Sequence, residues 1–307
     1  MSEVFRTGIP ASAPDLDPRR RLRRRLGRIG GWSVELRYGD RGQAADAAAE
    51  LDELGFGALW IPGGVGGEVL GDVGRLLSAT RNTVIATGIL NIWKHDAREV
   101  GEWWSALPAD RKERVLLGLG VSHGPLIGET YRKPLAAMVA YLAQLSAESL
   151  PAANLCLAAL GPKMLELSRD CTAGAHPYLV TPEHSAIARE LLGPDALLAP
   201  EQGVLLETDP RRARELARQA MARYVLLPNY VNSWQRLGFT EDEISSVSDR
   251  LIDALFAWGG MDRIAERVNA HLAAGADHVC LQVISGAGAP DVGATRPAWR
   301  DLAAALL

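Results

Sequence analysis

Two apolar runs joined by a helical stretch constrain this chain most. Thr83 to Trp93 and Arg114 to Gly124 are rich in aliphatic and β-branched residues and end in small and polar ones. Asp96 to Leu107 between them reads as a helix. Strands that are apolar on both faces belong in a parallel sheet covered on each side. In a closed barrel of such units, the chemistry sits at the carboxyl ends of the strands.

The alternation continues from about Ile29 to the end of the 307 residues. Strand one is read at Ile29–Leu36, followed by a helix at Gly42–Leu54 that stops at Gly55, a left-handed cap position. Strand two is Ala58–Ile61, stopped by Pro62 and the run from Gly63 to Gly67. A helix at Glu68–Thr80 leads to strand three, Thr83–Leu90, and later to strand four, Val115–Val121. A helix at Lys133–Ala147 precedes strand five, Leu155–Leu160. Gly161-Pro162 opens a helix to Arg169, with proline where the missing amide costs nothing. Strand six is read at Ala173–Val180, and Thr181-Pro182 starts a helix through Leu192. Strand seven is Gln202–Glu207, and Asp209-Pro210 caps a helix to Leu227. Strand eight is His278–Ile284, and Trp299–Leu307 closes the chain. The stretch Pro228–Ala274 is longer than one connection needs. Thr240 and Glu243 form a capping box for a helix over Glu241–Trp258, and Met261–Ala274 is another. Eight strands alternating with helices favour a (β/α)8 barrel, α/β in class. The barrel is expected as a single domain over 26–307, with 1–25 a peripheral Arg/Pro-rich segment.

Several function classes are disfavoured. A net charge of −4, from 33 basic and 37 acidic residues, demands neither a nucleic-acid nor a membrane partner. Seven arginines lie between Arg19 and Arg28; such a run reads as a nucleic-acid arm or as a solvated first helix on the barrel surface, and no second basic patch supports the arm. Three unclustered cysteines, Cys156, Cys171 and Cys280, exclude a paired-cysteine metal site and argue against a disulfide framework. No apolar run approaches the ~20 residues of a membrane helix, and no signal pattern opens the chain, so a cytoplasmic protein is expected. Nucleophile-elbow, Walker and zinc-protease motifs are missing, and no metal site is expected. Gly118-Leu119-Gly120 lacks the third glycine of a dinucleotide fingerprint.

Four histidines, His95, His123, His176 and His184, fall at or near strand ends. His184 lies in the first turn of a helix beside free amides, a place that suits a phosphate or a merely solvated imidazole. His123 follows strand four and is a candidate proton carrier or ring contact. His176 precedes Pro177-Tyr178 and reads equally as a core histidine bonded to backbone. Trp32 and Trp93, near strand ends, are placed to stack on a planar ligand. His271 and His278 read as structural.

In order along the chain, five segments carry a resemblance: Glu53–Trp60, Ala86–Trp93, Leu117–His123, Ala158–Met164 and Ala173–Tyr178. Together they resemble the luciferase-like monooxygenase superfamily, and within it the deazaflavin (coenzyme F420)-dependent oxidoreductases of actinobacteria, over about residues 27–285. The resemblance implies a TIM barrel of the bacterial-luciferase-like type with inserted helices before strand eight. It also implies a strand-three bulge with a non-proline cis peptide at Gly88-Ile89, backing the cofactor ring. Trp32, Gly64, Asn91, Gly120, Ser122, the turn Ala159-Leu160-Gly161-Pro162 and His184 would then approach ring, ribityl chain and phosphate. Members of the family with an Asp-His pair at the end of strand two differ from this chain, which has Ile61-Pro62-Gly63-Gly64 there. A proton carrier must come from elsewhere: His123, His176, Tyr178 or Glu35. The implied activity is hydride transfer between a deazaflavin and a small organic substrate, by a homodimer. Gly124–Arg132 and Tyr230–Thr240, with Tyr131, Tyr230, Trp234 and Phe239, are placed as lid elements. The alternatives are an FMN-dependent monooxygenase of the same superfamily and a cofactor-binding barrel without turnover. A phosphate-sugar barrel enzyme would need a strand-end lysine or carboxylate, and only Lys94 and Lys163 come near.

Overall fold

The computed structural model describes residues 17–64, 66–286 and 288–307. Ten strands form one parallel sheet: β1 (Ile29–Trp32), β2 (Ala58–Gly63), β3 (Val84–Asn91), β4 (Val115–Gly120), β5 (Leu155–Leu157), β6 (Gly174–Ala175), β7 (Leu197–Leu198), β8 (Glu201–Leu205), β9 (Phe256–Trp258) and β10 (Val279–Val283). Neighbours run β7-β6-β5-β4-β3-β2-β1-β10-β8-β9. β7 and β8 are two halves of one extended segment. The first half pairs with β6 and the second with β10, while Ala199 N–H donates to Ala175 and Cys280 N–H to Pro200 between them. That segment closes the ring, so the fold is a TIM barrel.

Residues alternate between the two faces of each strand. Ala58, Trp60, Val84, Ala86, Leu116 and Cys280 fill the barrel interior; Leu59, Ile61, Ile85, Leu117 and Leu281 pack under the surrounding helices. The helix Pro18–Leu26 crosses the base. Its Leu22 and Leu26 are buried against the interior cluster, while Arg20, Arg23 and Arg25 pair with Asp195, Asp277 and Glu113. The described part of the arginine run is therefore a helix on the barrel, with its apolar stripe as a plug. Residues 1–16 of the segment expected to be peripheral lie outside the described residues. Leu26→Ala removes a fully buried side chain and is expected to cost about 2–5 kcal/mol in chemical denaturation.

Three strand readings and one helix reading change. Strand one, read at Ile29–Leu36, ends at Trp32, and Glu35–Tyr38 is a short helix. Strand six, read at Ala173–Val180, is only Gly174–Ala175. Beyond it Pro177 has no N–H to give the ladder, and Leu179 turns into the left-handed region (φ 53°). Strand seven begins earlier than Gln202 and is interrupted at Ala199-Pro200. The helix read at Glu241–Trp258 breaks at Val247 (φ 48°), restarts under the Ser248 cap, and ends in β9. Because β6 is so short, β8 keeps an open edge, and β9 pairs along it. Gly203 makes room: a Cβ there would lie 2.7 Å from the Phe256 ring.

His271 and His278 are fully buried in internal networks. His271 joins Ser185 Oγ (2.8 Å) to Gln202 Oε1 (3.1 Å). His278 Nδ1 donates to the Gly27 carbonyl (3.0 Å), and its Nε2 accepts from Trp60 Nε1 (3.2 Å). Among the described residues no helix is long and apolar enough to cross a membrane, and no three His, Cys, Asp or Glu side chains group as metal ligands.

Candidate active site at the carboxyl ends of the strands

The ends of β2, β3 and β4 are built from backbone. The β2–β3 register shifts between Ile61 and Gly63, and the β3–β4 register between Thr87 and Leu90. Inside this bulge the Gly88–Ile89 peptide is cis. Trp32 Nε1 donates to the Gly88 carbonyl (3.2 Å). A Cβ on Gly88 would strike that indole nitrogen and lie 2.8 Å from His176 Nε2. At Gly63 and Gly120 a Cβ would meet the carbonyl oxygen (2.7 Å) and Cδ1 (2.5 Å) of Ile89. At Gly64 nothing lies within 4 Å. Glycine thus lets Ile89, Trp32 and His176 approach the backbone of the strand ends closely. Val65, in the glycine run that follows β2, lies outside the described residues.

Asn91 is fully buried and ties this surface together: its Nδ2 donates to the Gly64 carbonyl (2.8 Å) and its Oδ1 accepts from Trp93 N (3.0 Å). Trp93 Nε1 donates to the Val121 carbonyl (2.7 Å). Ser122 then takes a left-handed conformation (φ 55°) that turns the chain toward His123.

His176, Tyr178 and the inserted helices form the opposite wall. His176 stacks on Trp60 (centroids 4.2 Å apart), and its Nδ1 donates to the Ala199 carbonyl (2.7 Å). Its Nε2 therefore carries the lone pair, and that atom is buried without a partner. Burial pushes the imidazole pKa down to about 4, so His176 is neutral and accepts rather than donates. The Tyr178 ring packs on Trp32 (5.6 Å). Its hydroxyl donates to Gln282 Oε1 (2.8 Å) and accepts from Tyr224 OH (3.3 Å), which accepts from Arg223 (3.0 Å). Burial holds Tyr178 well above the usual phenol range. His123 faces the Tyr230 ring (5.4 Å), and burial and the Arg223 charge both hold its pKa down.

Beneath Tyr178 lies Glu201, 1% exposed. One carboxylate oxygen accepts from Leu179 N (3.1 Å); the other has no partner. Burial pushes its pKa up to about 8. The Leu179 carbonyl accepts from Trp234 Nε1 (3.2 Å). The helix Pro228–Arg236 is thereby fastened over the mouth, with Tyr230 and Trp234 buried. Its Arg236 donates to the Leu160 carbonyl (3.1 Å), beside the helix Pro162–Cys171, whose N-cap Gly161 supplies no capping side chain. His184 is buried there too. Its Nε2 donates to the same carbonyl (3.1 Å), and its main-chain N–H bonds Thr181 Oγ1 (3.4 Å). Ala159 is buried behind this turn.

Trp32, Gly88, His176 and Tyr178 thus meet at one point, with His123 around the rim. Leu160, Gly161, Pro162 and His184 form a second group. Glu35 is not part of either: it accepts from Ser33 Oγ (2.7 Å) on a short helix after β1. Arg223, Tyr224, Gln282, Arg236 and Glu201 were not legible as site residues. Gln282 does leave a trace, a polar residue inside an otherwise apolar strand; Glu201, next to Gln202 at the start of its strand, does not. Tyr224 leaves none, falling in what reads as the end of a helix.

No protein-family model matches the chain, and no curated protein matches it in sequence. Solved structures match it nearly end to end. An F420-dependent secondary alcohol dehydrogenase, solved with an F420–acetone adduct, has TM-score 0.69 and 14% identity over 92% of this chain and 99% of its own. The coenzyme F420-dependent tetrahydromethanopterin reductase of Methanopyrus kandleri has TM-score 0.65 and 13% identity over 91% and 98%. The oxygenating constituent of 3,6-diketocamphane monooxygenase of Pseudomonas putida, solved with FMN, has TM-score 0.61 and 13% identity over 90% and 96%. The chain therefore has the luciferase-like TIM-barrel fold that these F420-dependent enzymes and this monooxygenase share.

Proposed function

We propose that this chain is an oxidoreductase that uses a deazaflavin, coenzyme F420, to move a hydride to or from a small organic substrate. The observation that carries the reading is the glycine-built bulge at the ends of β2, β3 and β4, backed by Trp32 and His176. Such a bulge lets a planar ring lie directly on backbone. The residues present fit the group. Gly64 faces open space, and the buried, unpartnered Nε2 of His176 and Nδ1 of His123 leave acceptor or donor capacity for a ring rich in polar atoms. The helix that opens at Gly161-Pro162, with Arg236 beside it, suits the phosphate end, because free amides and a guanidinium both favour an anion. The cofactor supplies the hydride; the protein orients it and shields one face. With no acid or base at Pro62-Gly63-Gly64, the proton is managed from the Tyr178 side. The resemblance on which this reading draws also implies a homodimer.

The FMN-dependent monooxygenase is the second reading, favoured by the likeness to a fold neighbour solved with FMN. Fluorescence titration with coenzyme F420 and, separately, FMN decides between them. Tighter binding of F420 is the expected result; the reverse preference transfers the proposal to the monooxygenase, and binding of neither leaves the barrel as a scaffold for another ligand.

A further inference from the structure

We propose that the Tyr178 hydroxyl is an oxyanion-binding donor for a carbonyl substrate, with Tyr224 and Arg223 behind it as positioning residues; this rests on the hydride-transfer reading of the mouth. Three hydrogen bonds run in one direction: Arg223 to Tyr224 (3.0 Å), Tyr224 to Tyr178 (3.3 Å), and Tyr178 to Gln282 Oε1 (2.8 Å). A guanidinium has donors and no acceptor, so the first bond has only one sense. It leaves the Tyr224 proton to be given to Tyr178. Each bond in such a chain polarises the next. The chain starts from a positive charge at the exposed rim and ends on a neutral amide oxygen inside the mouth.

The surrounding charges agree with that polarity. The carboxyl of Glu201 is kept neutral by burial up to about pH 8, His123 is held neutral by burial and by Arg223, and Tyr230 keeps its proton. Arg223 is then the uncompensated charge in the group, and negative charge developing nearby is stabilised. His176 cannot serve in the same way, because its one N–H is committed to Ala199.

A carbonyl oxygen becomes negative as its carbon accepts a hydride, whose electron pair comes from a reduced deazaflavin. Tyr178 shifts its hydrogen bond from Gln282 to that oxygen and gives up its proton, so that an O–H bond forms on the substrate as one breaks on Tyr178. Tyr224 returns a proton to Tyr178, and water at the rim returns one to Tyr224.

The test uses 4-nitrophenol, a flat phenol whose anion is seen by its own absorbance, and the whole chain without cofactor. Wild type is expected to bind the anion about tenfold tighter than the neutral phenol, lowering the probe's apparent pKa by about one unit. Tyr178→Phe is expected to remove the preference, and Tyr224→Phe and Arg223→Gln to diminish it. Arg250→Gln, which removes an exposed arginine paired with Glu243, is expected to leave it intact. Thermal melts establish that each variant is folded; if Tyr178→Phe is not, the half-buried Tyr224 and exposed Arg223 positions decide. No shift in wild type, a shift that survives Tyr178→Phe, or an equal loss in Arg250→Gln overturns the proposal. Coenzyme F420 binding without a phenolate shift removes the oxyanion site and spares the oxidoreductase reading. A phenolate shift without F420 binding does the opposite.

Discussion

Gly88→Val is expected to weaken deazaflavin binding by about ten- to hundredfold while leaving a folded barrel. A Cβ at this position would collide with Trp32 Nε1 and lie 2.8 Å from His176 Nε2. Neither ring can step aside. Trp32 is 5% exposed and bonded to the Gly88 carbonyl; His176 is 1% exposed, stacked on Trp60 and bonded to Ala199. Overpacking at such a place costs about 1–3 kcal/mol, and each 1.4 kcal/mol drawn from binding is about tenfold in affinity. The bulge must move toward the mouth, and that is the surface on which the ring is proposed to lie. Gly74→Ala is the control. It sits in the helix Val69–Ala79 with nothing within 4 Å of the added methyl and is expected to leave F420 affinity unchanged. Fluorescence titration of both variants reads the difference. Equal affinities in wild type and Gly88→Val would remove the bulge from the cofactor site.

Glu201→Gln is expected to stabilise the protein at neutral and alkaline pH. The Glu201 pKa is raised from 4.5 to about 8 by burial. Below pH 4.5 the carboxyl is protonated folded or unfolded, and stability is unaffected. Between 4.5 and 8 the unfolded chain releases the proton while the folded chain keeps it. Wild type therefore loses about 1.4 kcal/mol for each pH unit in that window, and the loss levels off above the folded value. Glutamine has nothing to release, so the gap between variant and wild type should widen from pH 5 to pH 8. The buried histidines act on the other side. His176 and His278, lowered to about 4, and His271, lowered to about 3, contribute stability that is full above 6.5 and lost as the pH falls toward those values. They are common to both proteins and cancel in the difference. Urea unfolding at several pH values checks it; parallel curves would mean that Glu201 is ionised in the folded state.

The candidate site was legible in part. Gly88, Gly120 and Asn91 stand where apolar strands run into small and polar residues, a pattern visible along the chain. Their roles differ from one another: Gly88 shapes the bulge, whereas both polar atoms of Asn91 are used up on Gly64 and Trp93. Trp234, read as a lid residue, is fully buried, because its indole reaches the Leu179 carbonyl that left-handed backbone turns toward it. The break of strand seven at Pro200 was concealed because the polar pair Glu201-Gln202 follows the proline and makes the apolar run before it look separate from the strand.

What the sequence determined by itself is the alternation of β and α elements and therefore the barrel. Strand composition, Pro at helix starts, Gly55 after a helix and the Thr240–Glu243 box act between residues a few positions apart, and their physics is local. What only the tertiary structure decided is which polar groups meet. Tyr178 bonds Tyr224, 46 residues away, and Gln282, 104 residues away. Glu201 has its pKa raised by a burial that strands and an inserted helix create together. Contacts between residues so far apart in the chain depend on how the barrel closes and where the insertion folds back, and no short-range pattern records either.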